Sequence, residues 1–406
     1  MNNMKILQVN KFNYIRGGAE KYFIDLSKEL EREGHEVAVF SMKHPKNFKS
    51  KWEKYFVSRI SFNEASLRDK LLAPFRILYS FEAKIKFKKL IKDFKPDIIH
   101  IHNIYHQISP SILSVAKKYK IPVVMHVHDY KLICPNYQLF VDNQICYRCR
   151  GGKYYKCLKH KCFKKSYLKS FLAVIEMYFH HRILNIYFKN IDLFIAPSNF
   201  MKETLVSFKV PEEKIKVIYN FTVINQVENQ DGDYGLYFGR LSSEKGIDVL
   251  LKALALSKSD LKIKIVGSGP EEKQLKTLCD KLKLNNRVEF LGYKLGVELE
   301  FIIKNAKVIF MPSIWAENMP LSLLESLSFS KVVIASKIGG MSELIKDNKS
   351  GFLFQNGDFK ALASKIDSLE HCDLRQIGQR ARDMVLDLNI NKHLEEILKI
   401  YKQYVK

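Results

Sequence analysis

Short runs of β-branched and aliphatic residues alternate along the chain with longer amphipathic segments. One amphipathic helix is predicted from Glu20 to Glu33, where apolar positions recur at helical spacing. The first group of predicted buried strands is MKILQVN, HEVAVFSM, PDIIHIH, IPVVMHVHD, IDLFIAPS and KIKVIYN. Strands that alternate with helices in this way are typical of a parallel α/β sheet.

A second α/β series follows residues 221–233, FTVINQVENQDGD, which lack apolar periodicity and are predicted to be a linker. Its strands are GLYFGR, LKIKIVG, RVEFLGY, AKVIFMPS, KVVIAS and SGFLF. With 406 residues, 47% of them hydrophobic, the chain is long enough for two cores. We therefore predict two Rossmann-like domains, residues 1–222 and 233–385, whose parallel sheets face a central cleft. Residues 386–406 are expected to form a helix that packs back toward the first domain.

Positive charge is concentrated in the first half of the chain. The net charge is +24, and residues 1–200 hold 36 Lys and Arg against 16 Asp and Glu. This asymmetry predicts an anionic partner, which is a nucleic acid, a membrane surface or a phosphorylated substrate. The sequence shows no secretory signal and no apolar run of about 18 residues. We expect a cytoplasmic protein, and the charge is compatible with a peripheral position on the inner face of the membrane.

Candidate binding residues follow the predicted strands, because ligands of open α/β sheets bind beyond the carboxyl ends of the strands. Gly17 and Gly18 precede a helix whose partly positive N-terminus favours an anion, and we expect them to bind the donor. A tight turn explains this glycine pair equally well. His128 and Asp129 lie at the end of a strand. A histidine there can orient a hydroxyl group or share a proton, and a purely structural hydrogen bond is the alternative.

The loops of the second domain carry cations and glycines. In YFGRLSSEKGIDVLL, Arg240 and Lys245 stand before a helix N-terminus, an arrangement that suits a diphosphate without a metal ion. A solvated surface pair is the alternative. The next strand ends in IVGSGP, where Gly267 allows a close approach of the backbone to a ligand.

Two glutamates lie in the otherwise apolar segment IWAENMPLSLLESLSFSK. Glu317 is predicted in a loop after a strand, and Glu325 in a buried helix, and both can accept hydrogen bonds from vicinal hydroxyl groups. The backbone N–H groups at the start of this helix are expected to contact phosphate or sugar oxygens. The residues that carry these N–H groups are Asn318, Met319 and Leu321.

Taken together, these residues resemble the retaining GT-B glycosyltransferases of family GT4. GGAE, HD, APSNF, GRLSSEKG, VGSGP, RVEFLGY and the two glutamates occur in the family's order over nearly the whole chain. The pattern departs from the family at ENMPLS, which stands where the family has EGFGLP, and this puts the contacts to the donor sugar in question.

The resemblance implies a hexosyltransferase that moves a sugar from a nucleotide-sugar to an acceptor with retention at the anomeric carbon. It assigns Arg240 and Lys245 to the diphosphate, Glu325 to the ribose and Glu317 to the donor sugar, and it places His128 in the cleft. The implied acceptor is a glycan or a polyprenyl-diphosphate-linked sugar in cell-surface polysaccharide synthesis, and no cofactor is expected for catalysis.

Five of the seven cysteines lie between residues 134 and 162, in an insertion that spans about residues 134–165. Their spacing predicts a structural zinc site, with reduced thiols or disulfides as alternatives. The expected ligands are Cys146, Cys149, Cys157 and Cys162, with His160 or Cys134 as substitutes.

Two further segments, residues 67–95 and 164–190, mix Lys and Arg with aliphatic and aromatic residues at helical spacing. They predict docking on an anionic membrane surface, and packing of their apolar stripes on the sheet is the alternative. Two other functions stay open at this point, a sugar-nucleotide epimerase of the GT-B class and a basic nucleic-acid-binding zinc protein. We expect no nucleic-acid partner, because that function leaves the two glutamates and the glycine loops unexplained.

Overall fold

A computed structural model describes residues 3–59, 74–224 and 232–405 of the chain. The chain divides into two compact units. Unit 1 comprises Met1–Leu139, Cys146–Tyr219 and Ile390–Lys406, and unit 2 comprises Phe140–Ile145 and Asn220–Asn389. Residues 225–231 of the expected linker and residues 67–73 of the first basic segment lie outside the described residues.

Unit 1 is built on a sheet of six parallel strands in the order β2-β1-β3-β4-β7-β8. These strands are β1 (Lys5–Val9), β2 (Glu36–Phe40), β3 (Ile98–Ile101), β4 (Val123–His126), β7 (Leu193–Ala196) and β8 (Ile215–Val217), and β5 (Phe140–Val141) pairs with β6 (Gln144–Ile145) in a separate hairpin. The helices are α1 (Gly18–Arg32), α2 (Phe81–Phe94), α3 (Ser111–Lys118), α4 (Tyr155–Lys159), α5 (Tyr167–Tyr178), α6 (Ile186–Asn190) and α7 (Asn199–Ser207). The strand order reverses between β1 and β3, which places a ligand-binding switch point at their carboxyl ends.

Unit 2 repeats the architecture with the strand order β11-β10-β9-β12-β13-β14. Its strands are β9 (Tyr234–Phe238), β10 (Lys262–Val266), β11 (Val288–Gly292), β12 (Ala306–Met311), β13 (Val332–Ser336) and β14 (Phe352–Phe354). Its helices are α8 (Ile247–Leu256), α9 (Glu272–Lys281), α10 (Gly296–Lys304), α11 (Leu321–Ser328), α12 (Met341–Leu344), α13 (Phe359–Ser368) and α14 (Leu374–Asp383). The prediction of two α/β domains with parallel sheets is confirmed, and the switch point of unit 2 lies between β9 and β12.

Glycines allow the loops at the carboxyl edge of this second sheet to pack closely. Gly246 has a φ of +64°, and a Cβ atom there would lie 2.0 Å from the carbonyl oxygen of Pro312. At Gly267, with a φ of +138°, a Cβ atom would lie 1.8 Å from the carbonyl oxygen of Gly239. Only glycine fits either position, so the contact between neighbouring loops by itself explains the glycine in IVGSGP.

The last helix, α15 (Ile390–Tyr404), belongs to unit 1 and packs against α1. The hydroxyl of Tyr401 is hydrogen-bonded to Nδ1 of His100 at 2.6 Å, and Nε2 of His393 is hydrogen-bonded to the hydroxyl of Tyr22 at 2.7 Å. These contacts join the end of the chain to the core beside β3. Among the helices of the described residues, none is both long and apolar enough to cross a membrane.

Four histidines from the ends of β3 and β4 stack inside unit 1: His100, His102, His126 and His128. Burial and the neighbouring imidazoles lower their pKa values, to about 3 for His100, while burial and the charge of Lys11 lower that of His128 to about 3. Within the part of the chain that the structure describes, neither ring nitrogen of the fully buried His126 has a hydrogen-bond partner. All four side chains are therefore neutral in the native protein at neutral pH.

We expect unit 1 to lose stability as the pH falls below about 6.5, the pKa of an unfolded-chain histidine. Below that pH the unfolded chain binds protons that the folded histidines reject until about pH 3. Each buried histidine then costs about 2 kcal/mol at pH 5. Asp129 opposes the trend, because burial raises its carboxyl pKa to about 6. Urea unfolding between pH 7 and pH 5, followed by circular dichroism, measures the net effect.

Replacing His126 by Phe isolates one member of the stack. The variant removes two unsatisfied ring nitrogens, so His126→Phe should raise the free energy of unfolding by about 1 kcal/mol at pH 7 and weaken its pH dependence. His371→Gln, at an exposed position of unit 2, is the matched control. An unchanged pH dependence in His126→Phe would contradict the assignment of acid sensitivity to this stack.

Candidate functional site

In unit 2, the loops after β9 and β12 meet at the switch point of the sheet. The carbonyl oxygen of Glu244, in the first loop, accepts hydrogen bonds from Oγ of Ser313 and from the backbone N–H of Ile314, both at 3.0 Å, in the second loop. The two loops are thereby held as one surface. Any side chain that either loop carries is positioned relative to the other loop.

Lys245 and Glu317, 72 positions apart in the sequence, form an ion pair at this surface. Nζ of Lys245 lies 2.5 Å from Oε1 of Glu317, and Oγ of Ser313 donates to the same oxygen at 2.9 Å. The carbonyl oxygen of Glu317 accepts from the backbone N–H of Gly340 at 2.7 Å. The ammonium group also lies over the ring of Trp315, 5.7 Å from its centroid. The structure thus brings two of the sequence-predicted site residues into direct contact.

The remaining predicted residues of unit 2 lie around this pair. Arg240, two residues after β9, is exposed, and its carbonyl oxygen accepts a 2.9 Å hydrogen bond from the hydroxyl of Tyr237. Glu325 is half-buried in the second turn of α11. An exposed guanidinium at a strand end is accessible to a ligand, and a half-buried carboxylate on a helix can accept hydrogen bonds from hydroxyl groups.

The start of α11 is fixed by side-chain and backbone contacts. Pro320 caps the helix in an extended conformation, and its carbonyl oxygen accepts from the N–H of Leu323 at 3.0 Å. Asn318 and Met319 are buried, and Nδ2 of Asn220 donates to the carbonyl oxygen of Met319 at 2.9 Å. Leu321 is the first helical residue, so its N–H has no acceptor within the helix. The turn is therefore rigid and presents amide donors at its start.

In unit 1, the loops after β1 and β3 carry a lysine that the sequence analysis did not single out. The backbone N–H of Lys11 donates to the carbonyl oxygen of Asn103 at 2.7 Å, and its ammonium group lies 4.4 Å from the ring centroid of Tyr105. Burial lowers the pKa of Lys11, while the charges of Asp129 and Glu20 oppose that shift. Its position two residues after a buried strand was the available signal, because strand ends are where ligands bind.

The glycine pair of unit 1 stands at the start of α1. Gly17 caps α1 in an extended conformation, and Gly18 is the first helical residue. A Cβ atom at Gly17 would meet Oε2 of Glu20 at 3.7 Å, an ordinary contact. Neither backbone strain nor protein packing therefore requires glycine at position 17.

His128 is half-buried and belongs to a hydrogen-bonded chain of side chains. Nε2 of His102 lies 2.8 Å from Oε1 of Gln8, and Nδ1 of His102 lies 2.9 Å from Nε2 of His128. Because the amide oxygen can only accept, Nε2 of His102 donates to it, and Nδ1 then accepts from Nε2–H of His128. This tautomer makes Nδ1 of His128 the acceptor nitrogen. With a pKa of about 3, the ring orients a hydroxyl group better than it holds a proton.

The cysteine-rich insertion was predicted to hold a structural zinc ion. In the described part of the chain, no three His, Cys, Asp or Glu side chains are grouped to hold a metal ion. Cys149 and Cys157 instead pack in an apolar cluster with Val174 and Met177. A hydrogen bond with Cys162 and burial raise the pKa of Cys157, and burial raises that of Cys149 to about 12. Zinc binding displaces the thiol protons of its ligands, so the assignment of Cys146, Cys149, Cys157 and Cys162 as a metal site stays a prediction.

The sequence matches two protein families that together span most of the chain. Residues 16–225 match the family described as "Glycosyltransferase Family 4", and residues 222–384 match "Glycosyl transferases group 1". The first match alone covers more than half of the chain.

The chain is also similar to individual proteins. The chain is 28% identical to an uncharacterized 42.6 kDa protein in the cps region of Klebsiella pneumoniae, over 98% of this chain and all of that protein. It is 28% identical to a putative colanic acid biosynthesis glycosyltransferase of Salmonella typhimurium, over 52% of this chain and 57% of that one.

A solved structure also matches over the full length. The crystal structure of Anabaena HepE in complex with UDP and glucose has a TM-score of 0.70 at 20% identity and covers 99% of this chain and all of that one. This likeness confirms the GT-B class of fold that was predicted from the sequence. By its family matches, this chain is a glycosyltransferase and belongs to glycosyltransferase family 4.

Proposed function

We propose that this protein transfers a hexose from a nucleoside-diphosphate sugar to an acceptor, with retention of configuration at the anomeric carbon. The acceptor is a growing glycan or a polyprenyl-diphosphate-linked sugar in the assembly of a cell-surface polysaccharide. Two relatives support this setting, since one is named for colanic acid biosynthesis and another, from Erwinia amylovora, for amylovoran biosynthesis. The bound UDP and glucose of the similar Anabaena structure support the donor class.

The ion pair of Lys245 and Glu317 at the switch point of unit 2 is the observation that carries the proposal. A lysine held against a carboxylate at a strand edge can exchange that partner for a phosphate oxygen when a diphosphate binds. The carboxylate that is released is then available to the hydroxyl groups of the donor sugar. One pair thus links binding of the diphosphate to recognition of the sugar.

The other donor contacts follow from the surroundings of this pair. Arg240 offers its guanidinium fork to the diphosphate, and Glu325 accepts hydrogen bonds from the ribose hydroxyls. The backbone N–H groups of Asn318, Met319 and Leu321, at the start of α11, donate to the phosphate and sugar oxygens. Gly267 shapes the neighbouring loop through its backbone contact with Gly239.

The acceptor hydroxyl is assigned to unit 1, where Nδ1 of His128 accepts its hydrogen bond. The α1 N-terminus at Gly17 and Gly18 offers positive charge to a phosphate group of the donor. In the transfer, the bond between the anomeric carbon and the diphosphate oxygen breaks. The acceptor oxygen bonds to the same face of that carbon, and its proton passes to the leaving diphosphate.

The proposed location is the cytoplasm, at the inner face of the membrane. No disulfide links the cysteines, all of which lie within the described residues, as in proteins of reducing compartments. A polyprenyl-linked acceptor would present its head group at that face.

The donor can be identified by thermal shift against UDP-, GDP- and ADP-sugars, because a bound donor stabilises the fold by mass action. With the matching donor, we expect Lys245→Ala and Glu325→Ala each to weaken binding by about 10- to 100-fold, the loss of one charge-assisted hydrogen bond. Titration calorimetry on the purified variants measures this change.

Lys252→Ala and Glu298→Ala are the matched controls, because both side chains form exposed ion pairs on helices of the same unit. They should bind the donor as the unchanged protein does. Normal affinity in both site variants, with the fold intact by circular dichroism, would refute the donor site.

Glu317→Gln separates binding from transfer. The substitution removes the carboxylate that holds Lys245, so the nucleoside diphosphate should bind at least as tightly as before. Turnover should fall at least about tenfold, because the sugar loses its carboxylate partner. Steady-state kinetics with the identified donor reports the two effects separately as KM and kcat. A variant with unchanged kcat would show that Glu317 only positions Lys245.

Retention is tested without knowledge of the acceptor. Slow hydrolysis of the donor by the enzyme should release a sugar with the same anomeric configuration as in the donor, detected by proton NMR before mutarotation. The release of the opposite anomer would exclude a retaining mechanism and leave the donor site unaffected.

A further inference from the structure

Helix α5 exposes most of its large apolar side chains. Tyr167 is 59% exposed, Leu168 69% and Phe171 47%, and Leu172 and Ile175 are also exposed. At 100° per residue, these five positions cover one continuous face of the helix. We call this face the α5 surface.

The opposite face of α5 buries a carboxylate. Glu176 is buried beside Lys131, whose Nζ lies 2.7 Å from Oε2 of Glu176, and the two side chains are only 3% and 4% exposed. His106 also lies 3.6 Å from this carboxylate. The same buried face carries Val174 and Met177, which pack in the apolar cluster with Cys149 and Cys157. The ion pair and this cluster together hold α5 in an orientation that leaves the α5 surface exposed.

The chain segment before the α5 surface carries basic residues and no acidic ones. Between Asp142 and Glu176 the sequence has nine Lys and Arg residues and no Asp or Glu. The exposed members of this set are Arg148, Arg150, Lys153, Lys159, Lys161, Lys164, Lys165 and Lys169. Lys164, Lys165 and Lys169 stand at the N-terminal end of α5, next to the apolar stripe.

Further exposed apolar side chains lie at the other end of α5. Nε2 of His180, two residues after the helix, is hydrogen-bonded to the carbonyl oxygen of Leu78 at 2.7 Å. Phe75 and Phe81, each three residues from Leu78 in the chain, are both 70% exposed, and Ile183 is 72% exposed. These positions extend the apolar character beyond one helix.

We propose that unit 1 docks on an anionic phospholipid membrane through the α5 surface. A basic helix with one apolar face lies in the interface, where the apolar side chains enter the acyl boundary and the lysines contact lipid phosphates. A second copy of the chain is a poor occupant, because it would bring two sets of uncompensated cations together. A surface that binds only a polyanion, such as a nucleic acid, needs no exposed apolar stripe, whereas the α5 surface has one.

The experiment is co-sedimentation of the full chain with vesicles of phosphatidylcholine alone and of phosphatidylcholine mixed with phosphatidylglycerol, at low and high salt. We expect binding to the anionic vesicles at low salt and loss of most of it at high salt. The double variant Leu168→Gln and Phe171→Gln should reduce the partition coefficient at least about tenfold, because two apolar side chains no longer enter the bilayer. Glutamine preserves helix propensity, so α5 should remain folded.

Two matched controls test whether the effect is local. Val297→Gln with Phe301→Gln removes two even more exposed apolar side chains from α10 of unit 2. This variant should leave binding unchanged. The triple variant Lys164→Gln, Lys165→Gln and Lys169→Gln should weaken binding and its salt dependence. The same change at the exposed Lys252, Lys258 and Lys276 of unit 2 should do so much less.

Three results would overturn the proposal. The first is no binding to anionic vesicles at low salt, and the second is equal loss of binding in the α5 and α10 variants. The third is sedimentation velocity in which the protein self-associates and the α5 variant does not, which would assign the surface to a second copy. Donor binding by calorimetry in the same variants tests the proposed sugar transfer separately, since it requires no membrane.

Discussion

The ion pair between Lys245 and Glu317 is the interaction on which the site of unit 2 depends. It closes a contact between two loops that reach the same sheet edge only because the strand order reverses between β9 and β12. The carbonyl oxygen of Glu244 and the missing side chain at Gly246 bring the loops close enough for the pair to form. In the absence of a ligand, the ammonium group of Lys245 and the carboxylate of Glu317 neutralise each other. When a diphosphate binds, its negative charge takes the place of the Glu317 carboxylate beside Lys245.

Unit 1 contains a second ion pair with a different consequence. Lys131 and Glu176 are almost fully buried, and the loss of either partner would leave a charge without compensation in a low-dielectric interior. Together with Val174 and Met177, which pack in an apolar cluster on the same face, the pair holds α5 with its other apolar face exposed. A buried interaction thereby determines the character of a surface, because it decides which side of the helix is available to a partner.

The sequence predicts the architecture well because strand burial is a local signal. Each of the twelve apolar runs is a strand in one of the two sheets, since short β-rich segments between helical patterns have few alternative structures. Positions beyond strand ends identify Lys245 and Glu317 for the same reason.

The sequence does not predict which side chains meet, because that depends on distant contacts. The sequence did not single out Lys11, because the acidic residues near it, Glu20 in α1 and Asp129 in the loop after β4, are distant in the chain. The spacing of the cysteines likewise could not show that Cys149 and Cys157 pack in one apolar cluster with residues of α5. Of the two basic amphipathic segments, the described part of the first buries Phe87 in α2, and the second exposes a continuous stripe. Helical periodicity in the sequence predicts that a helix has an apolar face. It does not predict whether that face packs on the sheet or is exposed to solvent.

Little of the positive charge in the first half of the chain lies at the strand ends of unit 1. The stacked histidines are neutral, and Lys11 faces two acidic groups, so the strand ends carry little net charge. Nine basic residues of this half lie between Asp142 and Glu176, before and at the start of α5, with no acidic residue among them. A cation at the strand ends would attract any phosphate, whereas cations around an exposed apolar helix attract a surface that is both anionic and apolar. The distribution of the positive charge therefore indicates a partner with an extended anionic surface more strongly than the net charge of unit 1 does.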